Sequence, residues 1–498
     1  VRDGNFLGVI ASSEWEAVKA RDTLTAAATW SEPATLPDED AIHAWLLENE
    51  TAALPVIDGT THDIPAPERS EPPANATQTL EAFYTKPYIM HASIGPSAAV
   101  ALYQNDRLTV WSPSQGPYPL RTCIAASLGW PEDAVTVIHT QGSGCYGHNG
   151  ADDVSYDAAL MALEVPGRPV RVQWTRADEH AWEPYNPAQA VSMRASLDAH
   201  GTIIDWNLDL WSTTHQGRPR PATADHSCLV ADWHKSPARP FPPHKPLIGK
   251  EAGAHRNARA YYDFPDQRVV SHFVAAQPLR TSSLRGLGNF ANILAIECFM
   301  DELAEAASED PLAFRLRHLS DPRGRDVLTA AAEAIGWAPQ SPGAGTALGL
   351  AFNRSKNMKG YAAVACEVIA DTATGEFRVQ RAVVAGDAGQ IVNRAALSNQ
   401  LEGGFLQALS WLRERVRFDP VRVTSRDWET YPIMRLPETP DIRTVLIDRP
   451  GEPYLGAGEA SQGPAGAAIA NALSTALGKR LREAPFTPDR VRKMLSER

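Results

Sequence analysis

One carboxylate, Glu459, stands among small residues in PGEPYLGAGEASQGPAGAAIANAL (450–473), between Gly458 and Ala460 and with further glycines at 456 and 463. Glycine lets a ligand or another stretch of backbone come close. An acid placed there reads either as a solvated turn residue ahead of a helix or as a group held close to a ligand. Among Gly and Ala it is expected to be desolvated. Other stretches carry similar promise. GSGCYG (142–147) satisfies G-x-G-x-x-G, follows a strand and precedes a helix, so its amides could face a pyrophosphate. Antiparallel hairpins flank it, however, without the βαβ continuation of a dinucleotide fold, and a plain strand–helix corner competes. RGLGNF (285–290) opens a helix, and Arg285 either faces an anion or lies on a surface turn. Gln115 in WSPSQGP is either a helix cap or a donor to a ligand. In GDAGQIVN (386–393), Asp387 and Asn393 are candidate caps. The two glycines of NQLEGG (399–404) should break a helix unless another chain or a cofactor packs on them.

Several chemistries lack their residues. HExxH, GxSxG, GxxxxGK[ST] and an EF-hand loop are missing, and the 14 histidines do not fall at metal-ligand spacing. The five cysteines (123, 145, 228, 298, 366) are scattered without a CxxC pair, which excludes a self-contained iron–sulfur or cysteine zinc site. They leave bacterial cytoplasm and periplasm both open. With 47 basic against 59 acidic residues and a net charge of −12, a nucleic-acid partner is not expected. No apolar run reaches the length of a membrane span.

The elements that must position these groups are mixed. At 498 residues, 43% hydrophobic and 21% charged, several soluble globular units are expected. Residues 1–53 read as a small α/β unit: an Asp3-Gly4 turn, a strand Asn5–Ala11, and a helix capped by Ser12 or Ser13. Opening on the return strand of a hairpin suggests a fragment, or a first strand supplied by another polypeptide. Residues 54–78, rich in proline, read as a linker; 79–338 and 339–498 read as two larger units. Hairpins turn at Asn105-Asp106, His200-Gly201 and Thr374-Gly375, and helices are predicted near 118–128, 152–164, 289–307, 310–318, 325–336 and 394–413. Residues 215–265 are expected to wrap the surface. The fold class is mixed α/β (α+β), not a Rossmann fold, a barrel or a solenoid.

Taken together and in order, WSPSQGP, GSGCYGHNGADD, RGLGNF, GDAGQIVN with QLEGG, YP and LGAGEASQGP resemble the molybdenum-binding large subunit of the xanthine dehydrogenase and aldehyde oxidase family. The likeness covers nearly the whole chain. It is strongest to the bacterial branch that includes isoquinoline 1-oxidoreductase and nicotinate dehydrogenase; HASIGPSAAVA (91–101) and TSRDWETYP (424–432) read like the nicotinate side.

The resemblance implies a molybdopterin-dependent oxidoreductase, with molybdenum held through the pterin (in its cytosine dinucleotide form) and not by protein ligands. Glu459 matches the catalytic glutamate, and Gln115 the glutamine near the metal. Gly144, Tyr146 and Gly147 would approach the cofactor by backbone, Arg285 and Gly286 would offer an amide, and Gln462, Gly463 and Ala465 would hold the pterin or its phosphates. Residues 1–53 would be part of a hammerhead-like unit, with two molybdopterin-binding domains behind it. Expected partners are an iron–sulfur subunit, a cytochrome c acceptor, a small-molecule substrate, and a segment supplying the family's MGQG stretch, which this sequence lacks. The expected reaction hydroxylates an N-heteroaromatic ring at an electron-poor carbon, with water as oxygen source. Oxidation of an aldehyde to a carboxylate, or a cofactor-free scaffold role, are the alternatives; GSGCYGHN, with Cys145 and His148 in unusual places, is the departure that raises the last.

Overall fold

The computed structural model describes residues 1–338 and 340–496. Three sheets carry it. The largest has six strands, in the spatial order Thr60–Thr61, Ala52–Ile57, Arg268–Phe273, Ile203–Ser212, Gln189–Leu197 and Gln78–Lys86. Its centre is the predicted hairpin, in which Ser192 lies opposite Asp209 and Val191 opposite Leu210. A four-stranded sheet is built from Val135–His139, Arg107–Ser112, Ala98–Gln104 and Val170–Gln173, with the helices Pro117–Leu128 and Ala151–Leu163 packed on it. The third runs Thr346–Arg354, Tyr361–Ala370, Phe377–Asp387, Asp441–Ile447, the last pair parallel.

The helix Gln462–Leu477 sits between that third sheet and the helix Asn289–Ala306, and nearly all of its residues are buried. Its Gly and Ala run is what lets two layers close on it at once. One continuous apolar core therefore joins Leu197, Leu303, Val364 and Leu473 across the 338/339 boundary expected from the sequence. Pro339 itself lies outside the described residues. Helix ends follow local chemistry: Ser13, Asp310, Asp321 and Asn393 accept backbone N–H groups at their helix starts, as N-caps do.

Four expectations need correcting. The first hairpin pairs Arg2–Asp3 with Phe6–Leu7, so its turn is one residue later than predicted and its strand much shorter. The stretch taken as the start of a linker is strand: Leu54 and Val56 are buried at 4% and 6% exposure, and Ala52–Ile57 pairs with Arg268–Phe273. A continuous apolar run won there over proline content. The 215–265 segment does not simply wrap the surface, since His215, Arg256 and Asn257 are buried. Finally, the helix Arg394–Trp411 runs unbroken through Gly403 and Gly404.

Candidate active site

Two turns from distant parts of the chain meet at one cavity of about 640 Å³. The first precedes the helix Asn289–Ala306 and carries Arg285 and Gly286; the second precedes the helix Gln462–Leu477 and carries Gly458 and Glu459. The Gly286 N–H donates to Glu459 Oε1 at 3.1 Å, and Arg256 Nη1 donates to Oε2 at 2.9 Å. Lys356 Nζ stands 3.8 Å from Oε2. The Glu459 side chain is 32% exposed and opens into the cavity. It is thus oriented by two donors and left partly open, not desolvated among alanines as its neighbours in sequence suggest.

Arg285 is spent on holding the two turns together. Its Nε donates to the Gly458 carbonyl at 2.6 Å, Nη1 to Gln407 Oε1 at 2.9 Å, and Nη2 to the Gln400 carbonyl and side chain at 2.9 and 3.0 Å. Its own N–H donates to the Tyr146 carbonyl at 2.7 Å. The expected amide offers from Arg285 and Gly286 are therefore taken up within the chain, because the turns that carry them are cross-linked. Gln462, Gly463 and Ala465 are buried behind the cavity wall. Gln462, with its amide oriented to suit both neighbours, donates to the Glu459 carbonyl at 3.2 Å and accepts from Arg285 Nε. A Cβ on Gly463 would lie 2.6 Å from Asn289 Oδ1, so this end of the helix is pressed on its neighbour. Gly404 explains itself in the same way: a Cβ there would lie 2.1 Å from Ser461 Oγ, which donates to the Leu401 carbonyl at 2.8 Å. What packs on the double glycine is the Glu459 turn.

The glycine-rich loop forms the opposite wall with Cys145, Tyr146 and Gly147. Gly147 has φ +144°, and a Cβ would fall 2.0 Å from the Ser283 carbonyl oxygen, so only glycine lets this loop pair with Leu284. Gly144 is turned from the wall; its carbonyl accepts from Ser93 Oγ at 2.7 Å. The two unusual residues are structural. Cys145 Sγ donates to the Gly147 carbonyl and to Asn149 Oδ1, both at 3.1 Å, and burial pushes its thiol up to about 11. His148 is buried with Nε2 3.0 Å from Asp152 Oδ2 and Nδ1 2.9 Å from Ser282 Oγ. Gln115 reaches the cavity, where its Oε1 accepts from Arg218 Nη2 at 3.4 Å.

Arg218, Arg256 and Lys356 are the residues sequence reading missed. Their loops look like featureless surface, and the only signal is the asparagines beside Arg256 and Lys356. Asn257 Nδ2 donates to Asn353 Oδ1, the Arg354 carbonyl and Asn357 Oδ1, at 3.2, 2.8 and 2.7 Å. Its Oδ1 accepts from Asn289 Nδ2 at 2.9 Å and from the Lys356 N–H at 2.8 Å. That knot fixes the Lys356 backbone in the left-handed region (φ +53°). Beneath it, Glu251 accepts from the Asn257 N–H at 2.7 Å and from Asn357 Nδ2 at 3.1 Å, and burial pushes its carboxyl up to about 7.

Comparison with known proteins places this arrangement. The fold is that of molybdenum hydroxylase large subunits: aldehyde oxidoreductase from Desulfovibrio gigas superposes with a TM-score of 0.70 at 17% identity, over 90% of this chain and 64% of that one. Molybdopterin cofactor-binding domains match at residues 63–223 with 240–319 and at 300–440. The nicotinate dehydrogenase B polypeptide of Pseudomonas putida is 36% identical over 99% of the chain and 41% of its own length. The beta polypeptide of isoquinoline 1-oxidoreductase from Brevundimonas diminuta is 27% identical over 79% of the chain and 48% of its own length. The chain belongs to the molybdopterin-binding subunits of the xanthine dehydrogenase family, a family of oxidoreductases. It spans about half the length of these relatives, and no described helix is long and apolar enough to cross a membrane.

The residues fit the cofactor that this family implies. Among the described residues, four cations, Arg218, Arg256, Arg285 and Lys356, line the cavity against the one carboxylate of Glu459, in a protein of net charge −12. Such a wall, with the side-chain amides of Gln115, Gln216 and Gln400, suits an anionic ligand rich in hydrogen-bond acceptors, as a phosphorylated pterin is.

Proposed function

We propose that the complete protein hydroxylates an N-heteroaromatic ring, nicotinate- or isoquinoline-like, at an electron-poor carbon, with water as oxygen source and Glu459 as base. The observation that carries this reading is the Glu459 carboxylate, presented to the cavity by one N–H and one guanidinium that fix both of its oxygens. The likeness to the nicotinate dehydrogenase polypeptide over 99% of the chain supports the substrate class. Molybdopterin, in its cytosine dinucleotide form, would supply the two-electron redox chemistry. Gln115, Tyr146 and Gly147 would face it from the glycine-loop side, while Arg285 and Gly286 act behind Glu459 to keep the two turns in register. Gly144, Gln462, Gly463 and Ala465 would serve the cofactor by shaping the wall. Glu459 takes the proton released as the ring carbon gains oxygen, a step worth about 10²–10⁴ in rate for a well-placed base. Electrons would leave through an iron–sulfur subunit to a cytochrome c, and a further segment would complete the cofactor pocket.

The test is metal and nucleotide analysis of the intact complex, together with turnover of pyridine-3-carboxylate, isoquinoline and an aromatic aldehyde. Molybdenum with cytidine nucleotide and oxidation of a heterocycle are expected. Oxidation of the aldehyde alone would transfer the site to aldehyde chemistry, and a complete complex without molybdenum would make this chain a scaffold.

A further inference from the structure

The four cations of the cavity are not equivalent. Each nitrogen of the Arg285 guanidinium donates to a protein acceptor. Arg256 is held at Nε by the Glu251 carbonyl and at Nη1 by Glu459. Arg218 Nη2 is shared between Gln115 Oε1 and the Gly147 carbonyl. Lys356 differs: among the described residues its ammonium has an ion pair at 3.8 Å, beyond hydrogen-bond length, with Glu459. Its side chain is 32% exposed into the cavity, and its backbone is pinned by Asn257, so the ammonium is aimed without being consumed. An ammonium in that position has donors to spare for an incoming anion, beside the carboxylate read as the base.

We propose that Lys356 is the anchor for a carboxylate carried by the substrate, so that the site selects heteroaromatic monocarboxylates over their neutral analogues and sets the ring edge against Glu459. The inference rests on the heteroaromatic reading above and adds the charge of the substrate and the residue that reads it. A phosphate of the cofactor is the other anion such an ammonium could hold, and the test separates the two.

Lys356→Met and Lys356→Arg variants of the intact complex are compared with the parent for molybdenum and nucleotide content, and for equilibrium binding of pyridine-3-carboxylate and pyridine-3-carboxamide. The expected result is at least a tenfold weaker affinity of K356M for the carboxylate, less than a twofold change for the amide, full cofactor content, and partial recovery in K356R. Equal losses for acid and amide, or an unchanged affinity for the acid, overturn the assignment. Depleted molybdenum or nucleotide in K356M overturns it in favour of a cofactor phosphate. A parent complex that binds neither probe removes the heteroaromatic reading itself, whereas a parent that oxidises the acid with K356M binding it equally well removes the anchor alone.

Discussion

The backbone N–H of Gly286 donates to the side chain of Glu459 at 3.1 Å, across 173 residues of sequence. The adjoining guanidinium of Arg285 returns the contact to the Gly458 carbonyl at 2.6 Å. Each turn thus holds the other, and the carboxylate is oriented by backbone geometry as well as by an ion pair. A carboxylate fixed this way loses little freedom when a ligand arrives, which is what the proposed role as base requires.

Glu459→Gln keeps the shape and, with its carbonyl toward Arg256, that contact, but gives up the bond from the Gly286 N–H and removes the proposed proton acceptor. Turnover by the intact complex should fall at least about a hundredfold while molybdenum content stays at the parent level. Steady-state rates beside metal analysis check this, and near-normal turnover would sink the base assignment.

Gly404→Ala tests whether the double glycine serves the Glu459 turn. The added methyl meets Ser461 Oγ at 2.1 Å, so the turn must move. The expected cost is about 1–3 kcal/mol of stability, as for overpacking elsewhere, with a roughly tenfold loss of turnover. Thermal unfolding and kcat on the same preparation report both, and a loss of stability with unchanged kcat would uncouple the helix from the site.

Glu251 should make stability fall as pH rises. Burial pushes its folded-state carboxyl up to about 7 from an ordinary 4.5. Between those values the folded protein keeps a proton that the unfolded chain releases, so the contribution is complete below about 4.5 and lost on the way to about 7. At ~1.4 kcal/mol per pH unit the difference reaches about 3 kcal/mol. Glu251→Gln, neutral throughout, should flatten this slope. Melting temperatures of parent and variant from pH 4.5 to 8 measure it; parallel curves count against a buried, protonated Glu251.

The core ion network around Arg315 is a third kind of test, remote from the cavity. Arg315 donates to Glu297 Oε2 at 2.8 Å and to Asp301 Oδ1 at 2.7 Å, and Glu297 Oε2 also accepts the Phe352 N–H at 2.9 Å. Arg315→Met would leave buried Glu297 without a cation and Asp301 with only Arg480, 3.9 Å away, at a cost of about 3–5 kcal/mol. The urea midpoint should drop accordingly, and a shift under about 1 kcal/mol would show that the acids are readily neutralised.

Much was legible from the chain because it is local chemistry. Apolar alternation and turn residues place the 189–212 and 361–387 hairpins within a residue or two, and Asn393 caps its helix as predicted. The order of short motifs identifies the family, and Glu459 stands out because an acid amid Gly and Ala has no local reason to be there. What the chain could not reveal is long-range. Arg256 and Lys356 come from loops without periodicity, and only folding sets them 2.9 and 3.8 Å from one carboxylate oxygen. Arg285 looked free to face an anion until the tertiary contacts engaged its guanidinium at Gly458, Gln400 and Gln407. Residue type and spacing fix which groups can do chemistry; which of them is left with a donor to offer depends on partners that arrive from a hundred or more residues away.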